Sequence, residues 1–421
     1  MIVGKPAVAS GKWLRPDRLQ ADLVTLASFG GLANGGVTRP AFSQAYREAV
    51  VWLRTQMNDA GLTVSTDAVG NLIGRLGPAE GPAVICGSHI DSVLEGGRYD
   101  GALGVLAGLE CARALTANGQ VPARALEVVA FVDEEGAFLS LLGSRAMTGR
   151  LQKSDIVRAA ASDGTRLVDV METSGLDSRQ AAWARRPPED FNCMVELHIE
   201  QGPVLESALL DIGIVTSVVG LHLSRLTFSG QAAHAGTTPL DTRRDAMRGA
   251  AEAITRAFEA LERDFGPDVR LTFGALNVLP GSSNVVPGLV VMTCEIRAES
   301  EQTILELARD VELICRDVAA HRGLGFRRQL LSYDPPTAMS ARIIDVLARV
   351  AGELSFSHHL MPSGAGHDAQ SFADVCPTGI IFVPSQNGLS HNPFEFTAPE
   401  YIERGLRLLH AFLCHRLFAS A

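Results

Sequence analysis

Four apolar, strand-like runs in this chain each end in side chains able to ligate a metal, and that repetition limits the fold more than any other feature. Ala83-Val84-Ile85-Cys86 leads into Gly87-Ser88-His89-Ile90-Asp91-Ser92 and then a glycine-rich loop, Glu95-Gly96-Gly97-Arg98-Tyr99-Asp100-Gly101. Leu126–Val132 leads into Asp133-Glu134-Glu135-Gly136, Cys193–Ile199 carries His198, and Gly379–Val383 leads to a loop holding His391. In an open α/β sheet, ligands bind beyond the carboxyl ends of the strands. Four such ends bearing imidazoles and carboxylates therefore predict one site at one sheet edge. A period of two puts His89 and Asp91 on the same side of the backbone. His89 can then face a metal while Asp91 holds its other ring nitrogen. Asp100, beside glycines that let the chain turn back, can offer one oxygen to each of two ions. A single His198 or His391 would more often be a surface or satisfied core histidine, so the reading rests on the convergence.

Three imidazoles with two or three carboxylates suit a pair of divalent cations, zinc first, with manganese, cobalt or nickel tolerated. The seven cysteines are scattered and never paired as Cys-x-x-Cys. That pattern predicts reduced thiols in a cytoplasmic protein and leaves His, Asp and Glu as the metal ligands. A formal charge of −10, with no Lys/Arg cluster, argues against nucleic acid as a partner. No apolar run is long enough to span a bilayer, and Met1–Leu14 lacks the apolar core of a signal peptide.

At 421 residues the chain is too long for one ordinary core. Residues 16 to 60 read as mostly helical, with Pro40 opening a helical segment. Strand-like runs at Leu62–Ser65 and Asn71–Leu76 precede the strand into His89. A helix is expected over Gly104–Leu115, and helices over much of 140 to 190. From about Thr216 the texture changes. A strand at Leu221–Ser229 precedes a helix capped by Asp241 or Thr242. Strands at Val269–Leu279 and Leu289–Arg297, a helix through Ile304–Val318 and a strand at Gly325–Tyr333 follow. The order β-α-β-β-α-β is that of a split-βαβ unit. Residues 216–332 are thus expected as a second domain inserted into a first made of 1–215 and 333–421. After the insertion come a helix near 339–354, the loop Pro362–Asp368, and a closing helix over Pro399–Leu417.

Glu134 and Glu135 need separate jobs, because neighbours on an extended chain point opposite ways. One can ligate, while the other takes a proton from the attacking water and returns it to a leaving nitrogen. A divalent ion lowers the pKa of water and polarises a carbonyl, so the set describes amide hydrolysis.

The stretches around His89, Asp100, Glu134-Glu135 and His391 now combine with Glu196-Leu197-His198-Ile199-Glu200-Gln201-Gly202-Pro203, Gly230-Gln231-Ala232-Ala233-His234-Ala235-Gly236 and Gly366-His367-Asp368. Together they resemble the hydantoinase/carbamoylase family of amidohydrolases, in order and from about residue 17 to the C-terminus. The resemblance implies an α/β, mixed-sheet, zinc-aminopeptidase-like catalytic domain carrying an inserted ferredoxin-like lid that also makes a homodimer. It implies two divalent ions per subunit, one held by His89, Asp100 and His198, the other by Asp100, Glu135 and His391. It makes Glu134 the acid/base, Asp91 the support of His89, and His234 the group that stabilises the oxyanion. It gives Gln201, Asn284 and Arg297 to the substrate, with His367 in a loop beside it. The implied reaction cleaves an N-carbamoyl amino acid, or a similar small ureido acid bearing a carboxylate. Allantoate, another N-acyl or peptide-like amide, and a non-catalytic binding protein on the same fold are the alternatives. Where the family often carries one further residue and then Arg-Phe after Glu-Glu-Gly, this chain has Ala137-Phe138-Leu139. The departure leaves the ligands in place and bears on the substrate's side group. The Ser390-His391-Asn392-Pro393 loop lies closer to the carbamoylase branch than to the allantoate branch.

Overall fold

The computed structural model describes residues 11–119 and 122–418; the first part of Met1–Leu14, read above for a leader, lies outside them. The chain divides into two compact units, residues 1–216 with 338–421, and residues 217–337. The second junction falls later than the expected 332/333, because the strand Gly325–Asp334 belongs wholly to the inner unit.

The outer unit is built on a mixed sheet. Its order is Thr63–Thr66, Leu72–Leu76, Ala125–Phe131, Ala83–His89, Phe191–Ile199, Thr378–Val383 and Ile212–Val218. The four strands from Ala125–Phe131 to Thr378–Val383 run parallel, and the outer pairings are antiparallel. Ala83–His89 and Ala125–Phe131 are buried along their whole length, as parallel strands covered on both faces must be. That is why they read as unbroken apolar runs. Register pairs His89 with Phe131, Cys86 with Val195, and Ile199 with Val383. All four parallel strands therefore end level, and their carboxyl ends share one edge.

Helix Ala102–Ala117 packs on the sheet and is buried almost all round. Helix Pro399–Phe418 packs against it and buries His410 beside Cys414. Four features differ from the expectation. The helix expected to open at Pro40 begins at Gln44, after a first helix over Pro16–Ser28, because the Ser43 hydroxyl caps it by accepting from Tyr46 N at 3.2 Å. Residues 140 to 190 hold only short helices, Leu142–Met147, Lys153–Arg158 and Leu167–Thr173, followed by 3-10 turns at Ser178–Ala184 and Pro188–Asp190. Ile212–Val218 is a strand, although it sits where the texture changes. His358–Ser363 pairs beside it at the sheet's margin, where its Pro362 is tolerated.

The inner unit is an antiparallel sheet ordered Leu276–Leu279, Leu289–Ala298, Gly220–Ser229 and Gly325–Asp334. Arg270–Thr272 also pairs with Leu289–Ala298. The expected strand Val269–Leu279 is thus broken in two, with residues 273–275 bulging past Thr293, whose hydroxyl accepts from Ala275 N. Helices Ala246–Asp264 and Glu301–His321 bury Ile304, Leu307, Val311 and Val318 with sheet residues Phe228, Val290, Met292 and Ile296. The first helix is capped by Asp245, not Asp241 or Thr242; its carboxylate accepts from Met247 N and Arg248 N at 3.0 and 3.1 Å. No helix of the described residues is long and apolar enough to cross a membrane.

Candidate metal centre and active site

His89 and His198 come from neighbouring parallel strands and are both about 2% exposed. In each, Nδ1 meets a backbone carbonyl, that of Asp91 at 3.0 Å and that of Ile199 at 2.8 Å. A carbonyl only accepts, so both rings carry their hydrogen on Nδ1 and present the Nε2 lone pair to the same place. There stands Asp100. Its Oδ1 is 3.5 Å from His89 Nε2 and 3.0 Å from His198 Nε2, while its Oδ2 is 3.3 Å from His391 Nε2. His391 Nε2 is also 3.4 Å from Glu135 Oε2. His89–Asp100–His198 and Asp100–Glu135–His391 thus form two groups, each with ligand atoms inside 4.8 Å, sharing one carboxylate. Glu134 stands outside both, with Oε2 3.6 Å from His89 Nε2.

The donor set fits two divalent cations. Nitrogen and carboxylate oxygen are the ligands such ions take, and the cluster is short of positive charge. Burial works against a charged His89, yet Glu134, Asp100 and Asp91 overcome it and hold the ring's pKa well above the ordinary value. Burial, then Asp100, lifts Glu135 to about 7. Burial, then the like charges of Asp368, Glu135 and Asp100, raises Glu134 well above the usual range, against the pull of His89. A third grouping, Glu196–His198–His367, also has ligand atoms close together. There Glu196 already accepts from the Ser88 hydroxyl at 2.6 Å and Ala369 N at 2.8 Å.

The loops are shaped for this. Asp133, Gln201 and His391 have φ of 57°, 59° and 53°, a left-handed region that costs a non-glycine residue about 1–2 kcal/mol each. Strain of this kind persists only where surroundings enforce it, and it concentrates at functional sites. Asp133 enforces its own turn, its carboxylate accepting from Phe138 N and Leu139 N at 3.1 and 2.8 Å. Gly101, at φ 64°, lets the chain turn from Asp100 into its helix, and its N–H donates to His198 Nε2 at 3.1 Å.

Three placements differ from the expected ones. Asp91 supports His89 through its backbone carbonyl; its carboxylate oxygen stands back at 3.8 Å, and Oδ2 accepts from Glu135 N at 3.1 Å. Gln201 lies at the cluster but directs its amide nitrogen to Asp100 Oδ2 at 3.0 Å, leaving the buried Oε1 without a hydrogen bond. His367 is 1% exposed, bonded to the Ser363 hydroxyl at 2.9 Å and packed edge-on against His198. It backs the His198 ring instead of facing an open loop.

His234, Asn284 and Arg297 belong to the inner unit. His234 pairs with Val285 in a two-stranded ladder, and Ala235 N donates to the Asn284 carbonyl at 2.9 Å. His234 Nδ1 accepts from Gly236 N and Thr237 N at 3.1 and 3.2 Å, so the neutral ring carries its hydrogen on Nε2. Arg297 Nε donates to Glu295 on its own strand at 2.8 Å.

Sequence reasoning missed Glu395, which is 3% exposed. Its Oε1 accepts from Tyr99 N at 2.8 Å and Asp100 N at 3.1 Å, and its Oε2 lies 2.9 Å from the Ser390 hydroxyl. It therefore clamps the loop of Asp100 to the loop of His391. The one available signal was an acid between two aromatic residues, Phe394 and Phe396.

The pattern of peptidase family M20/M25/M40 matches residues 85–415. An N-carbamoyl-L-amino acid amidohydrolase of Geobacillus stearothermophilus is 38% identical over 94% of this chain and 97% of its own length. An allantoate amidohydrolase of Bacillus subtilis (strain 168) is 35% identical over 91% and 93%. Among solved structures, a hydantoinase/carbamoylase family amidase from Burkholderia multivorans superposes with a TM-score of 0.88 at 32% identity, covering 97% of this chain and 99% of that one. The mixed-sheet fold has its counterpart there, and the family match and the identities over nearly the whole chain agree with it: the chain belongs to the hydantoinase/carbamoylase amidases of peptidase family M20/M25/M40.

Proposed function

We propose that this chain hydrolyses the C–N bond of an N-carbamoyl amino acid, taking up one water and releasing the amino acid, carbon dioxide and ammonia. The observation that carries the reading is Glu134. It is a carboxylate only 12% exposed beside two groups of metal-capable side chains that share Asp100, yet it belongs to neither. His89, Asp100 and His198 would hold one divalent ion, and Asp100, Glu135 and His391 the other, with zinc suiting the set best and manganese, cobalt or nickel able to replace it. Such ions supply Lewis acidity to the scissile carbonyl and make water more acidic.

Glu134 then takes the proton that water gives up and carries it to the leaving nitrogen. Its raised pKa in the metal-free cluster suits a group that must hold a proton between the two steps. Asp91 and His367 keep the ligand rings in place. Gln201, through its unpartnered Oε1, meets an N–H of the substrate. Residues 217–337 act as a lid and make the homodimer, and His234, Asn284 and Arg297 are this unit's contribution to the substrate. The Nε2–H tautomer of His234 supports a donor to the oxyanion, and the planar fork of Arg297 suits a substrate carboxylate. The cytoplasm is the proposed compartment, supported by seven cysteines that are all free and buried.

The test is Glu134→Gln in metal-loaded protein. Metal content should persist while kcat falls by a factor of about 100 to 10,000, the usual size of a general acid–base contribution. Near-normal turnover would remove Glu134 from the chemistry. Faster hydrolysis of allantoate than of any carbamoyl amino acid would move the chain to the other branch. Bound metal with no turnover on either would leave a binding protein.

A further inference from the structure

Beside Glu135 the outer unit holds a cavity of about 540 Å³ that the hydrolytic steps do not use. Phe42, Leu94, Phe138, Ala161 and Val170 line it, and Glu135 itself forms part of its wall. A group bound at the ions would therefore have this hollow next to it. We infer that the cavity is the subsite for an apolar side group on the amino acid portion of the substrate. The inference rests on the amidohydrolase reading above.

Three observations carry it. First, the size lies within the range of small-molecule sites, which are mostly apolar with a few placed polar groups. Second, the only ionisable lining residues are acidic, Glu135 and Asp163, and no lining cation is present to pair with an anionic side group. Glu135 is engaged with His391, and Asp163 is exposed. Third, the aromatic wall is held in place at a cost. Phe42 sits at φ 63°, in the left-handed region that bulky residues avoid. Its ring packs edge-on to Phe138 with centroids 5.9 Å apart. Phe138 is fixed in turn by the Asp133 carboxylate, which builds the same loop that presents Glu134 and Glu135. The residues after Glu134-Glu135, Gly136, Ala137 and Phe138, thus form an apolar wall. A second ureido group, as in allantoate, would lose its hydrogen bonds to water against that wall.

The experiment compares kcat/KM of the zinc-loaded enzyme for N-carbamoyl derivatives of L-phenylalanine, L-leucine, glycine and L-aspartate, and for allantoate. The phenylalanine and leucine derivatives should exceed the glycine derivative at least about tenfold, the discrimination an apolar pocket supplies. Aspartate and allantoate should fall below them. Phe138→Ala and, on the exposed rim, Ser162→Trp should each reduce the phenylalanine-to-glycine ratio at least about tenfold. Equal rates on phenylalanine and glycine derivatives, allantoate as the best substrate, or a ratio unmoved in both variants would overturn the subsite. Absence of turnover on every carbamoyl substrate would instead overturn the amidohydrolase reading, and the subsite with it.

Discussion

Replacing Gly101 by alanine should cripple one metal position without touching a ligand. Gly101 occupies φ 64°, and a Cβ built there would lie 2.4 Å from Cδ2 and Nε2 of His89 and 2.5 Å from Cε1. Ordinary carbon contacts begin near 3.4 Å, so the ring must retreat by about 1 Å. A metal–imidazole bond of about 2.0–2.1 Å tolerates only about 0.2 Å, so the displaced Nε2 no longer completes the group with Asp100 and His198. Two energies add in the metal-free protein. The left-handed backbone costs alanine about 1–2 kcal/mol, and the overpacking costs about 1–3 kcal/mol more. Spread over a unit of roughly 300 residues, the sum lowers the melting temperature by roughly 3–8 °C. Gly175→Ala is the control. It has φ 81° with nothing within 4 Å of its Cβ, so it bears only the backbone cost. Zinc affinity, measured by competition with a chromophoric chelator, should fall at least about 100-fold at one site in Gly101→Ala and stay within about twofold in Gly175→Ala. If the two variants bind zinc equally well, the assignment of His89 as a ligand positioned by this turn is wrong.

Further outcomes follow from other parts of the structure. Glu395→Ala leaves the Tyr99 and Asp100 N–H groups without their acceptor, at about 1–3 kcal/mol for each buried donor. Thermal melts should show that loss and chelator competition a weaker second site; an unchanged melt would mean the clamp is idle. Zinc added to metal-free protein at about 100 times its dissociation constant should raise unfolding stability by about 2.7 kcal/mol, and a flat urea titration would count against a site in the folded state. Burial lowers His410 to about 4, so the unfolded chain takes up this proton first as pH falls. Stability should therefore be lost between about pH 6.5 and 4, amounting to roughly 3 kcal/mol. Urea unfolding of His410→Leu between pH 7 and pH 4 should show a decline smaller by that amount, and a decline equal to that of the parent protein would place the titration elsewhere.

The central strands and the candidate ligand side chains at their ends are legible because a parallel strand buried on both faces leaves an unbroken apolar run, and polar chemistry begins where the run stops. Ala83–His89 and Ala125–Phe131 show this plainly. What stayed hidden depends on approach through space. Glu395 meets Tyr99 across 296 residues of chain, and no local spacing announces it. Asp91 was placed on the right side of the backbone, but period-two reasoning orients side chains only. It could not show that the carbonyl, and not the carboxylate, would accept the hydrogen bond from His89 Nδ1–H. Sequence alone does not single out Asp245 as the cap, because Asp241 and Thr242 precede the same apolar pattern, and only the folded turn decides which carboxylate reaches the free N–H groups. His367, read as a loop residue near glycines, is buried by the ring of His198, a packing fact that sequence pattern does not carry.

His89 and His198 are sealed from solvent, whereas the His391 side chain is about half exposed. The two candidate cation positions on either side of Asp100 would therefore be unequal partners. An inner ion, walled in by strands, would behave as a resident part of the protein. An outer one, reached through a single surface loop, would trade with the surrounding medium. Such a chain would retain half of its inorganic complement through scarcity and lose the other half first. Its working state would then follow the free-ion level of its surroundings, with the loop of His391 as the point of exchange.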